Sequence, residues 1–198
     1  MVDETKIILS EAELNIVMDS SLILTKHRVI QCVYELFNGQ VAAIREVFKV
    51  IQPGFTVAES MPKISKGENY LKLPFVIMDY PSVFGKHIFS VRTMFWWSNF
   101  FSITLHLSGK YKEHYEKKIV SNIPAASNRV FICINDDEWE HHFEPTNYLP
   151  AVTVSQERLN EIMQRPFIKV AVKYDLAQWN AMQQLLPGGY LEIFGMIK

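Results

Sequence analysis

The sequence predicts an α+β fold, with N-terminal helices packed on a mostly antiparallel sheet centred on an aromatic hairpin (86–108) and alternating helix and strand at the C-terminal end. Three observations carry this. Apolar residues recur at helical spacing through the first fifty positions. Strand-like runs then follow at about 70–79, 86–96 and 100–108, joined by short connections that suit a meander. Beyond them, short helical stripes alternate with short apolar runs.

In chain order, Ser10 and Glu13 form a capping box that starts the first helix, with a break near Asp19-Ser20-Ser21. A second helix carries Val29, Ile30, Val33, Tyr34, Leu36 and Phe37, and Asn38-Gly39 is expected to close it. A third carries Val41, Ile44, Val47, Phe48 and Ile51, ended by Pro53-Gly54. Residues 55–69 read as loop. Pro74 lacks a ladder donor, so the first strand is expected at an edge or with a bulge. A charged helix begins at Lys110, and a strand spans Asn128 to Asn135. Residues 136–150 read as an acidic loop. Ser155 caps a helix bearing Leu159, Ile162 and Met163. Phe167 to Tyr174 reads as a strand whose Lys169 and Lys173 make one face partly wet. Asp175 caps a last helix that Pro187-Gly188-Gly189 should end, before a final strand from Tyr190 to Ile197.

A chain of 198 residues suits one domain, 1–198, with a core large enough to need neither disulfide nor metal. The net charge of −1 offers no global field for nucleic acid or an anionic membrane. Cys32 and Cys133 each lie in apolar stretches, which suits buried thiols. The N-terminus lacks the basic start and apolar core of a signal peptide. The charge-free run 93–109 falls short of the roughly 20 apolar residues a span requires. A soluble, cytoplasmic protein is expected. The hairpin and first helices carry surplus apolar surface, so a homodimer is expected as well.

The hairpin offers the candidate site. A three-residue Trp97-Ser98-Asn99 loop places Trp96 opposite Phe100, Arg92 opposite Thr104 and Ser90 opposite His106. One face is then apolar. The other gathers Ser90, Arg92, Ser102, Thr104 and His106 beneath Trp96 and Phe100. Such a face can simply look at water, or it can form a hydrogen-bond network under a packed element. It can also bind: an arginine fork suits carboxylate or phosphate, a histidine titrates near neutrality, and flanking rings lower the dielectric. Asp79 is either a neighbour across the meander or a turn residue before Pro81.

Other constellations carry less. Residues 136–144 (DDEWEHHFE) hold His141 and His142 among five carboxylates, without metal-site spacing. They read first as a solvated loop and second as a cation site. The helix from Lys110 interleaves lysines with Tyr111 and Tyr115, but its Lys112–Glu116 and Glu113–Lys117 spacings fit a solvated face better than a nucleic-acid surface. No GxGxxG, GxxxxGK[ST] or GxSxG motif occurs, and no cofactor is implied. The expectation is a non-catalytic domain that binds a small anionic or aromatic ligand, or a protein, at the Arg92/His106 face. The alternative is an enzyme using His106 and Arg92 in acid–base chemistry.

Overall fold

The computed structural model describes residues 7–51 and 60–198. Two N-terminal helices, α1 (Glu11–Met18) and α2 (Ser20–Ile51), precede four consecutive antiparallel strands. These are β1 (Lys63–Tyr70), β2 (Leu73–Val83), β3 (Phe89–Trp96) and β4 (Phe100–Ser108). Helix α3 (Lys110–Asn122) leads to β5 (Val130–Cys133) and β6 (Tyr148–Pro150). Helix α4 (Gln156–Met163), β7 (Phe167–Asp175) and α5 (Met182–Gly195) complete the chain. The strands form one antiparallel sheet in the order β1-β2-β3-β4-β7-β5-β6. This is the expected α+β architecture.

Helix α2 covers the apolar face through Ile30, Val33, Phe37, Ile44 and Phe48, joined by Tyr190, Ile193 and Phe194 of α5 and Tyr115 and Ile119 of α3. Edge-on rings lock the layers: Phe48 lies 5.6 Å from Phe89, and Phe37 lies 6.4 Å from Phe101. Polar bonds also cross this face: Thr93 Oγ1 to Tyr190 Oη at 2.6 Å satisfies two buried hydroxyls at once, Tyr174 Oη donates to the Leu185 carbonyl at 3.3 Å, and Arg45 Nε donates to Tyr80 Oη at 3.0 Å.

The capping box at Ser10 and the caps at Ser155 and Asp175 are formed as expected. Asp19 separates α1 from α2 and accepts from the Ser21 amide. Several boundaries differ. Helix α2 runs straight through Asn38-Gly39, because the buried stripe 30, 33, 37, 40, 44, 48 is unbroken. Gln40 occupies one of its positions. Pro53-Gly54 and residues 55–59 lie outside the described residues. Part of the expected loop 55–69 is instead β1, an edge strand whose Lys63, Lys66 and Glu68 discourage pairing with another chain. Pro74 sits in an interior strand, opposite the irregular register between Gly67 and Tyr70, so the bulge and not the edge accommodates it.

The largest correction lies at the C-terminus, where Tyr190 to Ile197 is not a strand. Helix α5 passes through Pro187 and continues to Gly195, burying Met182, Leu186, Gly189, Tyr190, Ile193 and Phe194 at helical spacing. Gly189 is a contact and not a stop: a Cβ there would meet Tyr174 Oη at 2.4 Å and Ile103 Cδ1 at 2.8 Å. Its missing side chain lets α5 lie close on β4 and β7.

The two glycines of this helix therefore respond oppositely to alanine. Gly189→Ala forces the packed Ile103 and Tyr174 aside and should lower unfolding free energy by about 1–2 kcal/mol despite better helix propensity. Gly188→Ala, with no heavy atom within 4 Å of the new methyl, should raise it by about 0.5–1 kcal/mol. Urea denaturation of both variants against the parent checks the pair of signs.

A candidate site under the 136–147 segment

The hairpin register is the expected one. Trp96 pairs Phe100, Arg92 pairs Thr104 and Ser90 pairs His106, with Trp97, Ser98 and Asn99 as the turn. Pleating then places Ser90, Arg92, Met94 and Trp96 with Phe100, Ser102, Thr104 and His106 on the face away from α2. The neighbouring strands add Asp79 beside Arg92, and Lys169 and Lys173 beside His106 and Ser102. Except for Arg92, which is partly covered, and the exposed Lys173, these residues are buried.

What buries them is the acidic segment that follows β5. The two sequence candidates, the hairpin face and the 136–144 loop, are the floor and roof of one structure. His106 Nε2 lies 2.8 Å from Glu138 Oε2, and Arg92 Nη1 donates to His141 Nε2 at 3.0 Å. Arg92 also grips Asp79 with a bidentate fork, Nε to Oδ1 at 2.8 Å and Nη2 to Oδ2 at 2.9 Å. Asp79 is thus a partner across the meander and not merely a turn residue. Lys169, expected on a partly wet face, is only 1% exposed. Its ammonium donates to the backbone carbonyls of Glu138 (3.0 Å) and Glu140, oxygens that an irregular segment would otherwise leave unpaired.

Further bonds seat the segment. Tyr70 Oη accepts from the amides of His141 and His142 at 2.7 and 3.0 Å and donates to Glu140 Oε2 at 2.8 Å. The fully buried Asn147 donates to the His142 carbonyl at 2.6 Å. Phe143 is the apolar bolt: its ring lies 4.9 Å from Phe100 and 5.2 Å from Phe131, and stacks on Tyr148 at 4.6 Å. Trp139 lies 5.6 Å from His106.

The histidines are held in opposite tautomers by their partners. A guanidinium only donates, so His141 Nε2 must accept and its proton sits on Nδ1; a carboxylate only accepts, so His106 donates from Nε2. Burial, reinforced by Lys169 and Arg92, pushes His106 down to about 3 and His141 to about 2. The neutral ring satisfies the Glu138 carboxylate with its N–H. Burial also lowers Lys169 to about 8, which leaves it cationic at neutral pH. Arg92 is then answered by Asp79, and Lys169 by the nearby Asp137 and Glu138.

Between floor and roof remains a void of about 10 Å³ bordered by Ser90, Arg92, Thr104, His106, His141 and Lys169, room for a water at most. The larger space lies at the aromatic end. A half-open cleft of about 370 Å³ is lined by Trp96, Phe100 and Phe143 together with Glu140, His142, Glu144 and Lys173. Lys173 Nζ stands 5.8 and 5.6 Å from the centres of Phe100 and Phe143. Trp96 is 6% exposed, and its indole N–H has no hydrogen-bond partner among the described residues. His142 Nε2 is 3.7 Å from Glu140 Oε2. Sequence reasoning had placed Trp96, Phe100 and His142, but missed Lys173, Phe143, Glu140 and Glu144 as one lining. Only the spacing of Lys173 on the strand of Lys169 hinted at any of it.

Among the described residues, no group of three or more histidine, cysteine or carboxylate side chains is placed to hold a metal, and no helix is long and apolar enough to cross a membrane. Comparison with protein-family models, curated proteins and solved structures gives no match to this chain.

The buried histidines make stability depend on pH with a definite sign. Their folded-state proton affinities lie below the unfolded value near 6.5, so the unfolded chain binds more protons below that pH, and stability rises with pH across the window from about 3 to 6.5. Unfolding free energy should fall by about 1.4 kcal/mol per pH unit for each histidine below pH 6. Urea denaturation from pH 7.5 to 4.5 should show this fall, and His106→Gln with His141→Gln should flatten it.

Proposed function

We propose that this protein is a small-ligand-binding domain whose site is the cleft where the aromatic end of the hairpin meets the edge of the 136–147 segment. One observation carries the reading: three rings, Trp96, Phe100 and Phe143, border a space of about 370 Å³ that also presents charges of both signs. Its volume falls within the usual range for small-molecule pockets. The lining suits an aromatic anion that also bears an amine. The ring would lie against Phe100 and Phe143, and a carboxylate would meet Lys173. An ammonium would be received by Glu140 or Glu144. Strands β3, β4 and β7 hold Trp96, Phe100 and Lys173 in fixed geometry, as a binding site requires.

The Arg92/His106 floor serves this site as foundation. Arg92 is occupied by Asp79 and His141, and His106 by Glu138. A second reading, acid–base catalysis, is favoured by the 2.8 Å His106–Glu138 contact, which gives the histidine its orienting carboxylate. With a void of about 10 Å³ beside it, that dyad meets a substrate only if the segment lifts.

Calorimetric titration with phenylalanine, tryptophan, benzoate and phenethylamine tests the binding reading. The amino acids should bind more tightly than either probe bearing one charge. Lys173→Met, at an exposed position, should weaken binding roughly tenfold, about 1.4 kcal/mol. Absence of binding by all four probes, or affinity indifferent to Lys173→Met, would remove the cleft as the site.

A further inference from the structure

Eighteen large apolar residues are strongly exposed among those described, and ten of them fall between Ile7 and Leu24. The sheet accounts for few of the rest, since the hairpin aromatics are covered on both faces. Of the two places where surplus apolar surface is expected from sequence, the first helices carry it and the hairpin does not. Helix α1 buries none of its residues, and the first buried position of α2 is Ile30. The first side chain to fasten α2 to the sheet is Lys26, which pairs with Glu68 of β1. Among the described residues, 7–24 thus form an arm with no buried side chain.

We propose that this arm is the interface through which two copies of the chain pair. Its composition selects the occupant. Ile16, Val17 and Met18 of α1 are each more than half exposed and, at 100° per residue, fall on different sides of the helix, so a helix with this much apolar surface and no buried residue is an element meant to be enclosed. A bilayer surface is the wrong enclosure. Interfacial helices carry lysine or arginine on a polar face, whereas residues 7–24 contain no basic residue and three acidic ones, Glu11, Glu13 and Asp19. The area is right for a protein partner: the arm exposes on the order of 1,000 Å² of apolar surface, above the roughly 800 Å² per side that stable interfaces bury. A second arm answers an apolar surface of this size and shape, and a two-fold pairing closes the contact with no third surface left over. Each arm then encloses the other, and the ligand cleft plays no part.

Light scattering on the full chain is expected to give twice the 23.0 kDa of one copy, dissociating on dilution. The variant combining Leu14→Asp, Val17→Asp and Met18→Asp removes no buried contact, so it should keep the parent's near-ultraviolet circular dichroism and run at the mass of one copy. A parent that stays at 23.0 kDa from micromolar to submillimolar concentration overturns the proposal, and so does a dimer that survives the triple variant unchanged. A monomeric parent that floats with phosphatidylcholine vesicles overturns it in favour of a bilayer.

Discussion

The second face of the sheet is covered by a segment without regular structure, and the rest of the arrangement answers to that constraint. A helix brings its own hydrogen bonds when it covers a sheet; an irregular segment brings unpaired amides and carbonyls. Here Lys169, Tyr70 and Asn147 supply the missing partners to the backbone of residues 138–142. These groups are themselves polar and must be buried to reach their targets, which in turn demands charge balance. Asp79 provides it against Arg92, and Asp137 and Glu138 against Lys169. A buried network of this kind is sound only if every member is satisfied, and it then specifies one position for the segment.

Two different chemistries hold the two faces of one sheet. On the helical face, packing of rings and branched side chains does nearly everything, with polar bonds at Thr93–Tyr190, Tyr174–Leu185 and Arg45–Tyr80 added to it. On the other, apolar packing is confined to small clusters around Trp96, Phe100 and Cys133, which Phe143 touches on both sides. The first buries Tyr115, Tyr174 and Tyr190, whose proton loss burial pushes to higher pH, so acid leaves it untouched. The second contains two neutral histidines and an ammonium, so the covering segment is the part of the fold that acidity would loosen first.

Much of the fold was legible in the sequence where period and punctuation agreed. The hairpin register followed from alternation alone, because a slip of one residue would have put Arg92 and His106 into the helical core. The caps at Ser10, Ser155 and Asp175 followed from local chemistry. What failed were places where tertiary contact overrides a local signal. Asn38-Gly39 reads as a helix stop, yet α2 runs through it because its buried stripe, Gln40 included, is continuous. Pro187-Gly188-Gly189 has the composition of a helix end, yet Gly189 is small because the sheet lies against it. Lys169 looked wet because alternation cannot foresee a roof arriving from thirty residues upstream. For the same reason the hairpin face and the 136–144 run were weighed as rivals: no local pattern records that Glu138 and His141 land on His106 and Arg92.

The roofing segment has one further property. At its base the Ile134 amide donates to the Asn147 carbonyl at 2.8 Å, and β5 and β6 pair immediately beyond. Both ends of the excursion are therefore clamped beside each other by the ladder itself, as in a compact surface loop. What lies between is free to vary only where it does not reach the floor. Glu138 and His141 must stay to pair His106 and Arg92, while the side chains of His142 and Glu144 at the cleft rim can change with strand register and helical packing untouched. One short stretch of chain can thus reshape the cleft on an unchanged chassis.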